Sequence, residues 1–98
     1  MFSVASADYD IAILLDPTWW EPYRHRAAAG VKLGRLEPAI ADLTIALRLQ
    51  PNDAAMHRER GAAYRRLGQY APALVDYDEA IRLEPNSVDG YVGRGAVY

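Results

Sequence analysis

Cysteine is absent from the 98-residue chain, which excludes a disulfide framework, a thiolate metal site and a thiol nucleophile. Lysine is nearly absent: Lys32 stands alone among eleven basic residues, and with abundant alanine this usage fits a GC-rich bacterial genome. Long apolar runs are also missing. The longest, Ile11 to Leu15, falls far short of the roughly 20 residues that cross a bilayer. The opening MFSVASADYD has no basic start and no continuous apolar core, so neither a signal peptide nor a membrane partner is expected; the expected location is cytoplasmic. Nor is there an excess of positive charge. A net charge of -2 with a pI near 5.6 gives no overall field to hold nucleic acid.

What is present is globular: 51% apolar residues, 24% charged and ten aromatics, a composition able to bury a core. A fold of this size buries only about 60 to 68% of its unfolded surface, so the core has little to spare.

Apolar residues recur at helical spacing in six segments. Residues 2–15 carry Phe2, Ala5, Tyr9, Ala12 and Ile13 on one stripe, and the segment must stop at Asp16-Pro17 because the residue before proline is pushed out of the helical region. Thr18 or Asp16 is the expected cap of a second helix that runs through Pro22 to about Leu33, with Gly34 as its left-handed terminator. A third helix covers about Leu36 to Leu49, with Pro38 in its first turn and Ala39, Leu43, Ala46 and Leu47 on one face. Gln50-Pro51 closes it. Asn52 or Asp53 then caps a fourth helix, about Ala54 to Leu67, ended by Gly68. A fifth runs from about Tyr70 to Leu83, stopping at Glu84-Pro85, and Asn86 or Ser87 caps a sixth over Val88 to Tyr98.

Pro17, Pro51 and Pro85 are thirty-four residues apart, and residues 18–51 align with 52–85 without a gap at thirteen identities, where about two are expected by chance. Among them are Ala29/63, Leu33/67, Gly34/68, Ala39/73, Asp42/76, Ala46/80 and Pro51/85. This chain therefore resembles the tetratricopeptide repeat family, whose 34-residue unit is a helical hairpin with small residues where its helices cross. Gly61 and Ala73 match that crossing pair in one repeat, and Ala27 and Ala39 in the other. A glycine inside a helix costs about 1 kcal/mol against alanine, which is sensible where it admits a neighbouring helix to about 8 Å. Tyr64, Tyr70, Tyr77, Ala80 and Pro85 match the family's large, small and closing positions. Gly30 and Leu43 depart from it where the fuller repeat has Tyr64 and Tyr77, and His57 stands where the family favours tryptophan or tyrosine; looser packing is expected in 18–51.

The resemblance implies an all-α, right-handed α-solenoid of helix-turn-helix hairpins, six helices in one domain over 1–98. Residues 1–17 are the second helix of a truncated repeat, 18–51 and 52–85 are full repeats, and 86–98 is the first helix of another. Arginines at 26, 60 and 94 and aspartates at 8, 42 and 76 recur at the repeat period, and pairing is expected across each repeat junction, Arg26 with Asp8 and Arg60 with Asp42.

In the family the first helix of each hairpin lines a concave face. Here two of those helices are positive, +2 over 20–33 and +3 over 54–67, the third over 88–98 balances Asp89 with Arg94, and the second helices sum to -5. The resemblance assigns Arg24, Ala28, Val31, Lys32, Arg58, Ala62, Arg65, Arg66, Val92 and Ala96 to a peptide-binding groove, with Glu21, Ala55 and Asp89 beside them. Alanine floors and arginine walls suit an extended or helical segment bearing carboxylates, which arginine grips bidentately. Where one subgroup clamps the terminal carboxylate of chaperone tails with asparagines, this chain has Ala28 and Glu59, or Ala62 and Gly93, which argues against that ligand.

No reaction is written here. His25 and His57 have no convergent thiolates, so no metal is expected. The glycine-rich Gly90 to Gly95 follows no strand, so no phosphate loop is expected. No serine–histidine pair or buried acid pair points to an enzyme or a cofactor. The RNA-reading relatives use a 35-residue period. Trp19 and Trp20 are expected to pack over the preceding hairpin. Apolar surface at Ala5, Tyr9 and Ile13, and at Tyr91, Gly95 and Tyr98, is expected to stay uncovered. That leaves two expectations, a fragment of a longer scaffold or a module that stacks head to tail into homo-oligomers.

Overall fold

The computed structural model describes residues 4–98, with side chains from Ala7 onward; Phe2 and the side chain of Ala5 lie outside the described residues. The described residues form six α-helices and no strand: α1 (Val4–Leu15), α2 (Glu21–Lys32), α3 (Leu36–Leu49), α4 (Ala54–Arg66), α5 (Tyr70–Leu83) and α6 (Val88–Val97). The expected all-α class and the six helices are present. Contacts divide them into two compact units, Met1–Pro51 and Asn52–Tyr98.

Punctuation by glycine and proline acts as its chemistry requires. Gly34 and Gly68 both sit at φ +77°, the left-handed region that a side chain resists. At each, the chain closes the helix with a Schellman pair: Arg35 N–H donates to Gly30 O at 2.8 Å and Gly34 N–H to Val31 O at 3.0 Å, and Gln69 and Gly68 do the same to Tyr64 and Arg65 at 2.9 Å each. Gln50 and Glu84, each before a proline, leave helical geometry at φ −138° and −135°. The Asp53 carboxylate caps α4 by accepting from Met56 N–H at 2.9 Å. Capping of α2 departs from expectation. Its first flanking residue is Trp20, with no side-chain cap, because Asp16 is spent on a local turn, accepting from the Thr18 N–H at 3.1 Å and hydroxyl at 2.6 Å. Trp19 is left half exposed and Trp20 half-buried.

In the first unit α2 packs against α1 and against α3. Its core is Tyr23 and Ala27 from α2 with Ala39, Leu43, Ala46 and Leu47 from α3, the single stripe of α3 made of positions three and four apart. In the second unit α5 packs against α4 and α6, and α4 also meets α6. Buried there are Ala54, Met56, Gly61 and Ala63 of α4 and Ala73, Tyr77 and Ala80 of α5. Gly61 is a close approach: a Cβ there would lie 3.2 Å from the Tyr77 ring and 3.3 Å from Ala73 O. At Gly93 of α6 a Cβ would lie 2.1 Å from the same ring. One tyrosine thus occupies room that glycines open on both neighbouring helices.

Tyr9 and Ile13 are half-buried, not uncovered as expected, because α1 turns that edge toward α2 and the Tyr9 ring stacks on His25 at 5.3 Å. Among the described residues, the large apolar side chains that α1 leaves exposed are Ile11, Leu14 and Leu15. At α6, Tyr91, Gly95 and Tyr98 are exposed.

Candidate ligand-binding site

Arg26, Arg58 and Arg60 on α2 and α4 are held in ion pairs, and the pairing separates structural from available cations. Arg26 forms a fork on Asp42, Nε to Oδ2 at 2.8 Å and the second terminal nitrogen to Oδ1 at 2.7 Å, and reaches Asp10 at 2.8 Å. Arg60 makes the same fork on Asp76 at 2.8 Å and 2.8 Å. The expected junction pairs are therefore incorrect: each arginine meets the aspartate sixteen residues later, on the second helix of its own hairpin. The reason is placement. Asp42 and Asp76 lie within the buried stripes Ala39-Asp42-Leu43-Ala46 and Ala73-Asp76-Tyr77-Ala80, aimed at the facing helix, where a planar guanidinium can satisfy both carboxylate oxygens. Asp42 holds Arg26 charged well above the usual arginine range despite partial burial, and Asp76 shifts Arg60 in the same direction. Asp76, 1% exposed, also meets His57 Nδ1 at 3.0 Å.

A second motif recurs two repeats apart. Tyr23 and Tyr91 donate their hydroxyls to Pro17 O at 2.9 Å and Pro85 O at 3.1 Å. Arg26 and Arg94 stand over those rings at 5.9 Å and 5.5 Å. Arg94 then reaches back to Asp78 at 3.0 Å, as Arg26 does to Asp10. The relation was legible: Asp10 and Asp78 are both sixteen residues before their arginine. His57 holds the equivalent place between the two tyrosines.

Of the expected groove residues, α2 carries Arg24 and Val31, both half-buried, and Ala28 and Lys32, both exposed. In the other unit α4 carries Arg58, Ala62 and Arg65, half-buried, and Arg66, exposed; α6, packed against α4, carries Val92 and Ala96, both exposed. Arg58 pairs with Glu84 at 3.1 Å, an ion pair open to solvent. Among the described residues no carboxylate pairs with Arg65, Arg66 or Lys32, and Arg65 Nε is buried with no hydrogen-bond partner. Of the repeat positions, Ala27, Ala39, Ala46, Gly61, Ala73, Tyr77 and Ala80 are buried, Tyr64 is half-buried, and Pro51, Tyr70 and Pro85 are exposed. Among the described residues no three carboxylate or imidazole groups gather as metal ligands, and no helix is long and apolar enough to cross a membrane.

Comparison with known proteins agrees with this architecture. A family model described as TPR repeat matches residues 61–98. The Arabidopsis OM64 TPR domain superposes with a TM-score of 0.88 at 28% identity, covering 94% of this chain and 76% of that one. The fold is that of the tetratricopeptide repeat. Two further tetratricopeptide-repeat structures were solved with chaperone peptides. The first TPR of Spaghetti (RPAP3), bound to the HSP90 peptide SRMEEVD, has a TM-score of 0.89 at 25% identity over 94% of this chain and 73% of that one. The second TPR domain of human RPAP3, in complex with the HSP70 peptide SGPTIEEVD, has a TM-score of 0.89 at 25% identity over 94% and 77%. No curated protein sequence matches this chain.

Proposed function

We propose that the chain is a protein-interaction scaffold, without catalysis of its own, that binds an acidic peptide segment on the α4–α6 face. One observation carries the reading: on α4, Arg60 is tied to Asp76 and Arg58 to Glu84, while among the described residues Arg65 and Arg66 have no carboxylate partner. A buried guanidinium nitrogen without a partner is costly, and a ligand carboxylate approaching Arg65 offers it one after a small rotation. The Arg58–Glu84 pair, exposed on the glutamate side, can exchange its carboxylate for one on the ligand. Val92 and Ala96 add exposed apolar surface on α6, which packs against α4, and on α2 Arg24, Ala28 and Lys32 repeat the basic and alanine positions, with Val31 in place of Arg65.

The peptides held by the two RPAP3 structures are acidic, which supports the ligand class. For this chain the recognised groups are side-chain carboxylates along the segment, since Ala28, Glu59, Ala62 and Gly93 stand where a terminal-carboxylate clamp would need amides. Binding is expected in the micromolar range, about -8 kcal/mol, and to weaken with salt. Fluorescence anisotropy with a labelled Glu-rich peptide tests it. The Arg65→Glu/Arg66→Glu variant should lose about tenfold or more, and Arg48→Glu on α3 should not. Equal affinity across wild type and both variants would remove the reading.

A second reading, head-to-tail self-assembly, rests on exposed apolar residues at two helices, Ile11, Leu14 and Leu15 on α1 and Val88 and Val92 on α6 with Tyr98 just after it. Burying such surface between copies is favourable at about 25 cal/mol per Å². Sedimentation against concentration decides it, a strict monomer being the contrary result.

A further inference from the structure

The first unit has a cleft of about 340 Å³ beside α2 and α3, and the repeat register identifies what is missing from it. Gly30 lines this cleft at the position that Tyr64 holds in the second hairpin, and Ala41 lines it where the second hairpin has Val75. Tyr64 is half-buried, one helical turn after Arg60, which forks onto Asp76. The corresponding arginine, Arg26, lines the cleft. The volume is at the low end of small-molecule sites, about 300 to 1,000 Å³, and ample for one ring, since about 150 Å³ holds benzene.

We propose that this cleft is a binding site for a tyrosine side chain of a partner protein, which supplies from outside the aromatic ring that the chain supplies itself at Tyr64. Chemistry of the walls selects the occupant. Leu33, Pro38 and Ala41 present exposed apolar surface, suited to a ring face. The charged groups cancel, Arg26 and Arg35 against Asp10 and Asp42. Arg26 already spends three nitrogens on the two aspartates, so a carboxylate or an ammonium gains little here, whereas a phenol O–H can donate to the exposed Asp10 carboxylate. The site is separate from the arginines of α4 and does not depend on the reading given to them.

The test uses p-cresol, the side-chain analogue of tyrosine, titrated into the isotopically labelled chain and followed by amide NMR shifts. Saturable shifts are expected at Gly30, Ala39 and Ala41, with p-cresol bound about threefold to tenfold tighter than toluene through its hydroxyl. Gly30→Tyr should fill the cleft, abolish those shifts and raise the melting temperature; a Cβ at residue 30 meets nothing nearer than 3.4 Å. Absence of saturable shifts at these three amides, or p-cresol bound as well by Gly30→Tyr as by wild type, overturns the proposal. Should Gly30→Tyr not fold, Ala41→Leu narrows the same cleft; weaker p-cresol binding supports the site and unchanged binding overturns it.

Discussion

Asp76 is a carboxylate with almost no access to water, and its ionised form is tolerable because Arg60 and His57 occupy its oxygens. Removing one partner of such a pair leaves a buried charge uncompensated. Arg60→Met is expected to destabilise by about 3 kcal/mol in a denaturant titration. Arg26 offers an internal comparison, holding one buried and one exposed aspartate. Asp42→Asn should cost about 2 kcal/mol, Asp10→Asn about 0.2 to 1 kcal/mol, and equal costs would contradict the assignment of Asp42 as the structural partner. Asp16 gives a pH signature. The Thr18 hydroxyl and then its N–H hold the Asp16 carboxyl below the ordinary carboxylate range. A folded-state pKa lowered in this way contributes stability above the unfolded pKa, lost as pH falls through the folded one. A carboxyl NMR titration should find Asp16 shifted downward and returned toward the ordinary range by Thr18→Val. These roles were only half visible beforehand. The period of the sequence carries the ladders of arginine and aspartate, whereas their pairing follows from Asp42 and Asp76 lying inside apolar stripes that face their own hairpin.

Helices were the most legible level, because proline before each turn and glycine at Gly34 and Gly68 act through backbone sterics that need no tertiary context. Capping of α2 was not, since Asp16 had two local uses and the turn with Thr18 won. The uncovered edge of α1 was misread for a related reason: Tyr9 and Ile13 belong to an apolar stripe, yet only the packing of α2 decides which side of it remains open. The glycines of α6 separate packing from propensity. Gly93→Ala forces a methyl into the Tyr77 ring, and overpacking of this kind should cost about 1 to 3 kcal/mol. Gly95→Ala, with nothing within 4 Å of the added carbon, should be neutral or stabilising by up to about 1 kcal/mol. Thermal unfolding of both variants checks the contrast; equal effects would mean that α6 does not rest on Tyr77.

For the whole molecule, segregated charge could be counted from the sequence, but not which charges are free. Arg24, Arg58, Arg65 and Arg66 read alike on paper; in the structure Arg58 has Glu84 and Arg65 has a buried nitrogen without a partner. Ion pairing with residues more than twenty positions away decides that difference, and no local pattern encodes it. The cleft at Gly30 was visible only as a departure from the repeat, a missing tyrosine whose consequence depends on how α2 and α3 close around the gap. The central claim, that unpaired arginines on α4 hold an acidic segment, is tested most directly by isothermal titration of a Glu-rich peptide into the wild-type chain and the Arg65→Glu/Arg66→Glu variant at low salt. The expected result is saturable binding near micromolar affinity, about -8 kcal/mol, weakened about tenfold or more in the variant; binding of equal strength to both, or none to the folded wild-type chain, would contradict it.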